Sequence, residues 1–294
     1  MRGRSLQQGF TLVEAIIVIA LIGIVGAMVA VFIRMPVQNY ADSLARAEVT
    51  DEADLAVRRM ARELRMALPN SIRVIGDGSA IEFLLTRTGG RYLAAEDNLD
   101  AAYPVLDFAN NTTKVTVLGT PPQTISAGDY FAVYNLGNGM APADAWTLGN
   151  MARISAVSAD LKLPVLTLAS NPFFAQSPSM PSPGRRFQIV TGPVTFSCAQ
   201  ASDGARVLTR FAGYGINATQ VNPPAGAASV APLTRRVNSC TGLFAYDTGD
   251  GATSSAQRAA LVAITLDLAA RTVSGTAATT SIRLAHQVHV DNTP

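Results

Sequence analysis

The residues whose types and spacing most clearly indicate a function lie in one short segment, Gly9-Phe-Thr-Leu-Val-Glu14. This segment precedes nineteen uncharged residues, 15–33. As a helix this run is about 28 Å long at about 1.5 Å per residue, close to the roughly 30 Å of a bilayer's hydrocarbon core. The run therefore predicts one transmembrane helix. Glu14 stands directly against it, and a carboxylate inside a membrane costs up to about 2.5–3.5 kcal/mol on insertion scales. An acid there indicates a partner for its charge; the alternative is an acid that snorkels to the helix end.

Few other groups in the chain could do chemistry. The sequence has no Gly-x-Ser-x-Gly nucleophile motif, no Walker loop and no His-Glu-x-x-His helix. His286 and His289 lie three residues apart on a predicted strand, whose alternation sends them to opposite faces, so a shared metal is not expected. The acidic segment 247–251 lacks the spacing and closing glutamate of a calcium loop and predicts a turn. We therefore expect no catalytic residue, no metal and no cofactor, and a protein that is not an enzyme.

The two cysteines, Cys198 and Cys240, fit an exported chain with one disulfide. Arg2 and Arg4 point the amino terminus at the cytoplasm by the positive-inside rule, which places everything after residue 33 outside. In a Gram-negative cell that compartment is the oxidising periplasm. The alternative is two unrelated buried thiols.

The charge balance argues against nucleic acid as a partner. Charged residues make up 15% of the chain, the net charge is +2, and no basic patch stands outside the helix.

The amino-terminal residues carry a family resemblance. Arg2 and Arg4 in a short leader, then Gly9 directly before Phe10 and Glu14, resemble the class III leader of type IV pilins and type II secretion pseudopilins. The resemblance implies that a membrane-embedded prepilin peptidase cuts after Gly9 and methylates the new amino terminus at Phe10. It also implies that Glu14, fifth in the mature chain, guides docking to other major and minor pilin subunits. The implied location is the inner membrane, and a pilus or pilus-initiating complex after assembly.

Three segments farther on resemble minor pilins of mannose-sensitive haemagglutinin (MSHA) pilus biogenesis. They are Gly-Asp-Tyr-Phe-Ala-Val-Tyr-Asn-Leu-Gly from Gly128, Gly-Pro-Val-Thr-Phe-Ser-Cys from Gly192 and Leu-Thr-Arg-Phe-Ala-Gly-Tyr-Gly from Leu208.

A conventional signal peptide fits the amino terminus less well. Such leaders end in a small-x-small cleavage site, carry no acid in the apolar region and have apolar runs of about 7–15 residues. Met28-Val29-Ala30 is a poor cleavage site, and the apolar run continues to residue 33. We therefore expect the helix to be retained.

Helical patterning resumes beyond the apolar run. Pro36 removes a backbone donor, so it should kink or interrupt the helix. Between Leu44 and Leu68, apolar residues recur mostly at spacings of three and four, the stripe that packs on a sheet. Pro69 and Asn70 then end the helix. The sequence predicts a leader at 1–9 and one two-part helix, with a membrane half at 10–35 and an amphipathic half at 36–68.

From residue 72 the apolar period changes to two, and turn residues become frequent. Thr88-Gly-Gly-Arg91 predicts a turn, and residues 171–184 and 221–232 predict loops. The class predicted is α+β with a pilin-like fold, in which the long helix packs on a β-rich periplasmic domain, 69–294. The predicted strands cover residues 71–75, 80–86, 92–94, 114–118, 130–134, 152–157, 165–168, 186–190, 195–197, 206–211, 243–246, 260–268 and 281–290.

Two classes of function remain open at this point. The favoured one is a minor pilin-like subunit that takes part in assembly of a type IV, MSHA-type pilus, or a minor pseudopilin of type II secretion. The other is a membrane-anchored periplasmic binding protein or enzyme whose leader is only a targeting device. The lack of a polar catalytic constellation favours the first class.

Overall fold

Helix α1 (Leu12–Leu64) is the longest element of the computed structural model, which describes residues 9–97, 100, 102–121, 123–160, 162–246, 261–270 and 280–294. Its first part, to residue 40, is exposed throughout, whereas its second part packs against the β-rich domain. The buried side chains recur at spacings of three and four, so one apolar stripe faces the sheets. They are Val49, Ala53, Ala56, Val57, Met60, Ala61 and Leu64.

The helix differs from the prediction in two ways. Of the two effects expected at Pro36, a kink or an interruption, the interruption is absent because the helix continues through this residue, and the helix ends at Leu64 rather than at Leu68. The early end has a clear cause, because the backbone after the helix pairs with β2 (Ala80–Tyr92). The Met66 carbonyl accepts from the backbone N–H of Thr86 at 2.8 Å, and the Leu68 N–H donates to the Leu84 carbonyl at 2.8 Å. These bonds replace the last helical turn.

Twelve strands are present among the described residues, and nearly all fall in predicted strand segments. They are β1 (Arg73–Val74), β2, β3 (Lys114–Leu118), β4 (Tyr130–Ala132), β5 (Met151–Val157), β6 (Val165–Leu168), β7 (Arg186–Gln200), β8 (Arg206–Ala212), β9 (Ser229–Thr234), β10 (Phe244–Ala245), β11 (Leu261–Ala270) and β12 (Thr280–His289).

Nine of these strands form one antiparallel sheet in the order β1-β2-β3-β6-β5-β4-β7-β8-β9. Because β2 also pairs with β7, strands β2, β3, β6, β5, β4 and β7 close into a six-strand ring. The ring surrounds its own apolar core, whose largest members are Tyr92, Phe131, Phe173 and Phe187. The two long strands β2 and β7 run out of the ring toward α1 and so join the two halves of the domain.

The predicted turn at residues 88–91 is wrong, because β2 runs straight through the two glycines. A Cβ on Gly89 would lie 2.9 Å from the Phe187 carbonyl oxygen, and one on Gly90 would lie 3.1 Å from the Phe187 ring. The glycines therefore allow β2 to approach β7 closely. Two further segments differ as well. The predicted strands at 186–190 and 195–197 are a single strand, and β9 lies partly within the predicted loop 221–232.

A second apolar core fills the space between α1 and the outer parts of β2 and β7. The separate three-stranded sheet β10-β11-β12 closes it. Strands β11 and β12 pair antiparallel from Leu261 opposite His289 to Ala270 opposite Thr280, which confirms the predicted closing pair.

A buried ionic cluster joins β1 and β2 to the segments that follow β4 and β8. Arg73 donates from Nε to Glu82 at 2.7 Å, and its guanidinium lies 3.6 Å from the centre of the Trp146 ring. Tyr214 donates to the other Glu82 oxygen at 2.9 Å, and its hydroxyl is 2.5 Å from that of Thr195. Burial and, secondarily, the Glu82 charge raise the pKa of Tyr214, so its hydroxyl stays protonated and available as a donor.

The structure joins Cys198 and Cys240 by a disulfide. Cys198 lies on β7 with 4% of its surface exposed, and Cys240 lies in the segment that leads to β10. The bond therefore fastens that segment to the long strand that the two cores share.

Removing either cysteine should lower the melting temperature. The two residues are 42 positions apart, and closing a loop of this size contributes about 4 kcal/mol in the chain-entropy model. We expect Cys198→Ser and Cys240→Ser to lower the melting temperature of the detergent-extracted full chain equally, and the double variant to lower it no further. Labelling of two free thiols in the native, non-reduced protein would contradict the disulfide.

Candidate functional site

The candidate site is the start of α1, where a short extended segment enters the helix. Thr11 caps the helix, and its side-chain oxygen accepts from the Glu14 backbone N–H at 3.3 Å. Thr-x-x-Glu at a helix start is the sequence of a capping box, which fixes where the helix begins. Gly9 and Phe10 thus lie just outside the helix, and Glu14 lies in its first turn, where the helix dipole favours a negative charge.

The helix that follows is apolar and faces solvent on all sides. It is long and apolar enough to cross a membrane, judged by length and composition, and none of its most apolar stretch is buried. Phe10 is 79% exposed. Between Phe10 and Ile33, Glu14 is the only charged residue, and no other described residue pairs with its carboxylate. The site therefore presents one acid, without a partner in the described part of the chain, at the start of an uncovered apolar helix.

The two histidines lie elsewhere and do not meet. His286 is half-buried and His289 exposed, on opposite faces of β12. No three His, Cys, Asp or Glu side chains within the described residues could hold one metal ion. Residues 1–8, which include Arg2 and Arg4, and residues 247–251 fall outside the described part of the chain.

A cavity of about 730 Å³ lies beside the six-strand ring. Two acids line it, Glu96 and Asp107. Glu96 lies 3.5 Å from the Arg185 guanidinium. Asp107 accepts from the backbone N–H groups of Ala109 and Asn110 at 2.7 and 2.9 Å. Hydrogen bonds, first that from the Asn110 side chain, lower the pKa of Asp107. The carboxylate therefore serves to hold its own loop. On the cavity wall, burial raises the pKa of Tyr92.

Two structural features were not predicted from the sequence. They are the Thr11 cap at the candidate site and the buried pair of Arg73 and Glu82 in the β-rich domain. The Thr11 cap could have been found, because Thr-x-x-Glu before an apolar run is a readable motif. The buried pair Arg73 and Glu82 could not, since the two residues belong to different strands and no local pattern joins them.

The comparisons with known proteins agree with the geometry at the amino terminus. Residues 4–30 match the family described as the prokaryotic N-terminal methylation motif. No curated protein and no solved structure matches the chain. The matched segment, with a long apolar helix on a β-rich domain, supports a type IV pilin-like protein. It suggests a substrate of prepilin peptidase that is anchored in the inner membrane.

Proposed function

We propose that this protein is a minor pilin-like subunit, cut by prepilin peptidase after Gly9, methylated at Phe10 and then inserted into a type IV filament. The observation that carries the proposal is Glu14, an acid without a partner among the described residues, in the first turn of an uncovered apolar helix. Residues 1–9 are then the leader, 10–35 the membrane half and 36–68 the amphipathic half. The domain 69–294 is periplasmic. The partners are the peptidase, the inner membrane and other pilin subunits, with no role for nucleic acid or a cofactor.

Electrostatics explains why such a subunit needs Glu14. A subunit leaving the membrane presents this carboxylate to the positive amino terminus of the subunit above it. In a low-dielectric helix bundle, that pairing offsets the cost of burying either charge alone. The topmost subunit has nothing above it and needs no such acid. The 226 residues of the domain 69–294 are bulky to repeat beside every helix in a tight bundle. We therefore infer few copies, just below the tip or in an initiating complex.

Within the family, we propose the MSHA system and a role like that of its biogenesis protein MshO, on the resemblance of the segments from Gly128, Gly192 and Leu208. Type II secretion uses the same leader and is the next candidate.

Neighbouring genes for pilins and an assembly ATPase would support a filament role, whereas an isolated gene would weaken it. Of the two acids that line the cavity of about 730 Å³, Asp107 is committed to its own loop and Glu96 pairs with Arg185, which supports a structural subunit over an enzyme.

Glu14→Ala should leave cleavage intact and remove the protein from filaments. Leaving one buried ammonium without its partner costs about 3–5 kcal/mol, which corresponds to more than about a hundredfold weaker docking. The measurement is the amount of the protein in sheared filaments, set against the processed protein in the membrane.

Two variants serve as controls for that experiment. Glu14→Asp keeps the charge and should retain part of the incorporation, and Asp54→Ala removes an exposed acid far along α1 and should change nothing. Normal incorporation of Glu14→Ala would remove the docking role.

A further inference from the structure

Three large apolar side chains stand exposed on two loops of the domain. Met140 is 55% exposed and Leu148 is 42% exposed, both in the loop between β4 and β5. Phe174 is 45% exposed, in the loop between β6 and β7. We call these three residues the distal patch.

The two loops that carry these residues meet at Gly149. The Gly149 carbonyl accepts from the side-chain amide of Gln176 at 3.0 Å. A Cβ on Gly149 would lie only 2.6 Å from the Pro142 carbonyl oxygen, so these backbone segments touch. Leu148 is next to Gly149 in the sequence. Met140 lies two residues from Pro142, and Phe174 lies two residues from Gln176. These contacts place the three residues in one region of the domain.

The loop that carries Leu148 is rigidly held. Asp144 accepts from the backbone N–H groups of Trp146 and Gly139 at 2.9 and 2.8 Å. The buried Trp146 ring donates to the Ser71 carbonyl at 3.0 Å. Leu148 itself has a φ of 61°, the left-handed region that favours glycine. The fold thus keeps an exposed apolar side chain on strained backbone, a combination typical of functional sites.

The patch lies at the end of the domain away from the exposed half of α1. Its loop is fastened to the residues just after the helix, since the Asn135 side chain donates to the Pro69 carbonyl at 2.7 Å. From Ile33 to the helix end at Leu64 is about 45 Å at about 1.5 Å per residue. In a membrane-anchored chain, the patch therefore lies near the membrane-distal end of the helix.

The two loops that carry the patch have almost no charged residues. Residues 163–184 contain no charged side chain, and in residues 131–152 the only one is Asp144, which is buried. Yet 15% of the whole chain is charged. Interface centres are depleted in charge and enriched in methionine and aromatic residues. A neutral surface fits a neutral partner, because a charged partner group would lose its water without gaining a counter-charge.

We propose that the distal patch docks the neutral, apolar face of a different pilin-like subunit, on the side away from the membrane. This rests on the proposed function, and it adds a second, domain-level contact to the one that Glu14 makes inside the helix bundle. The contact gives the minor subunit a defined neighbour above it.

The test uses the full-length protein in its own cells, with a photo-crosslinking amino acid at position 148 and, as a control, at position 200. Gln200 is exposed at the far end of β7. We expect position 148 to capture a different protein that bears the N-terminal methylation motif, and position 200 not to capture it. Capture of only a second copy, only lipid or nothing would overturn the proposal, as would equal capture of that protein from both positions.

Two variants separate docking from folding. Leu148→Gly removes the side chain and relieves the backbone, so the melting temperature should not fall. Crosslinking from a probe at position 140 should fall at least tenfold, and Phe174→Ser should act in the same direction. Unchanged crosslinking in both variants would overturn the proposal.

The amino terminus of the same sample reports on the proposed function independently. An unprocessed Met1 terminus would refute the proposed function, whatever the crosslinks show. A methylated Phe10 with the protein in filaments, but no subunit captured at position 148, would refute the distal patch alone.

Discussion

A Gly9→Val chain accumulates as an uncut precursor in cells with active prepilin peptidase. In the family that the leader resembles, the residue before the cut lies close to the peptidase's catalytic groups, where any side chain beyond hydrogen interferes. Within this protein the change is harmless, because a Cβ on Gly9 meets nothing within 4 Å. The loss therefore reports on recognition by the peptidase and not on folding. The measurement is the mass of the membrane-extracted protein.

Gly23→Val is the matched control for this variant. Gly23 lies in the exposed apolar part of α1, and a Cβ there also meets nothing within 4 Å. This variant should be cut like the wild type. Normal cutting of the Gly9→Val chain would contradict the assignment of the cleavage site.

The second large effect is on stability, at the buried ionic cluster. Glu82→Ala leaves Arg73, a residue that is 8% exposed, without its counter-charge, and removes one of the two oxygens that are hydrogen-bonded to the Tyr214 hydroxyl. Stranding one partner of a buried pair costs about 3–5 kcal/mol. We expect a loss of that size in the free energy of unfolding of the detergent-extracted full chain, measured with denaturant.

An exposed ion pair provides the comparison. Asp54 and Arg58 pair at 2.6 Å on the open face of α1, with side chains 44% and 74% exposed. Such pairs contribute less than about 1 kcal/mol, so Asp54→Ala should barely change stability. The Arg73→Met/Glu82→Leu double variant should recover most of the loss, because no charge remains buried alone. If Glu82→Ala costs no more than Asp54→Ala, the cluster does not have the structural role assigned to it.

The long helix and most strands could be predicted from the sequence because their signals are local. Each signal lies within a single helix or strand. The signals are an uncharged run of nineteen residues, an apolar stripe from Leu44 onward and alternating segments past residue 72. The helix end was wrong by four residues, because Met66 and Leu68 pair with β2, a contact set by the tertiary fold.

The closure of the ring could not be predicted, because it depends on strands far apart in sequence. Gly89 and Gly90 indicate a turn by their residue type, yet they serve for close approach to Phe187 on β7. Gly192 and Pro193 likewise stand inside the continuous strand β7. In both places the pairing of two long strands overrides the local turn signal.

At the candidate site, the sequence alone predicted the residues of interest. Gly9, Phe10 and Glu14 stand out by type and spacing, and the structure adds the Thr11 cap and the exposed helix. The distal patch carries no motif. It becomes visible only when the fold brings Met140, Leu148 and Phe174 to one region of the domain.

The most direct test of the central claim is the mass of the amino-terminal peptide of the protein extracted from its own membranes. The proposed function predicts a chain that begins at Phe10 and carries one added methyl group on its amino nitrogen. A chain that still begins at Met1, in a strain whose prepilin peptidase is active, would contradict it.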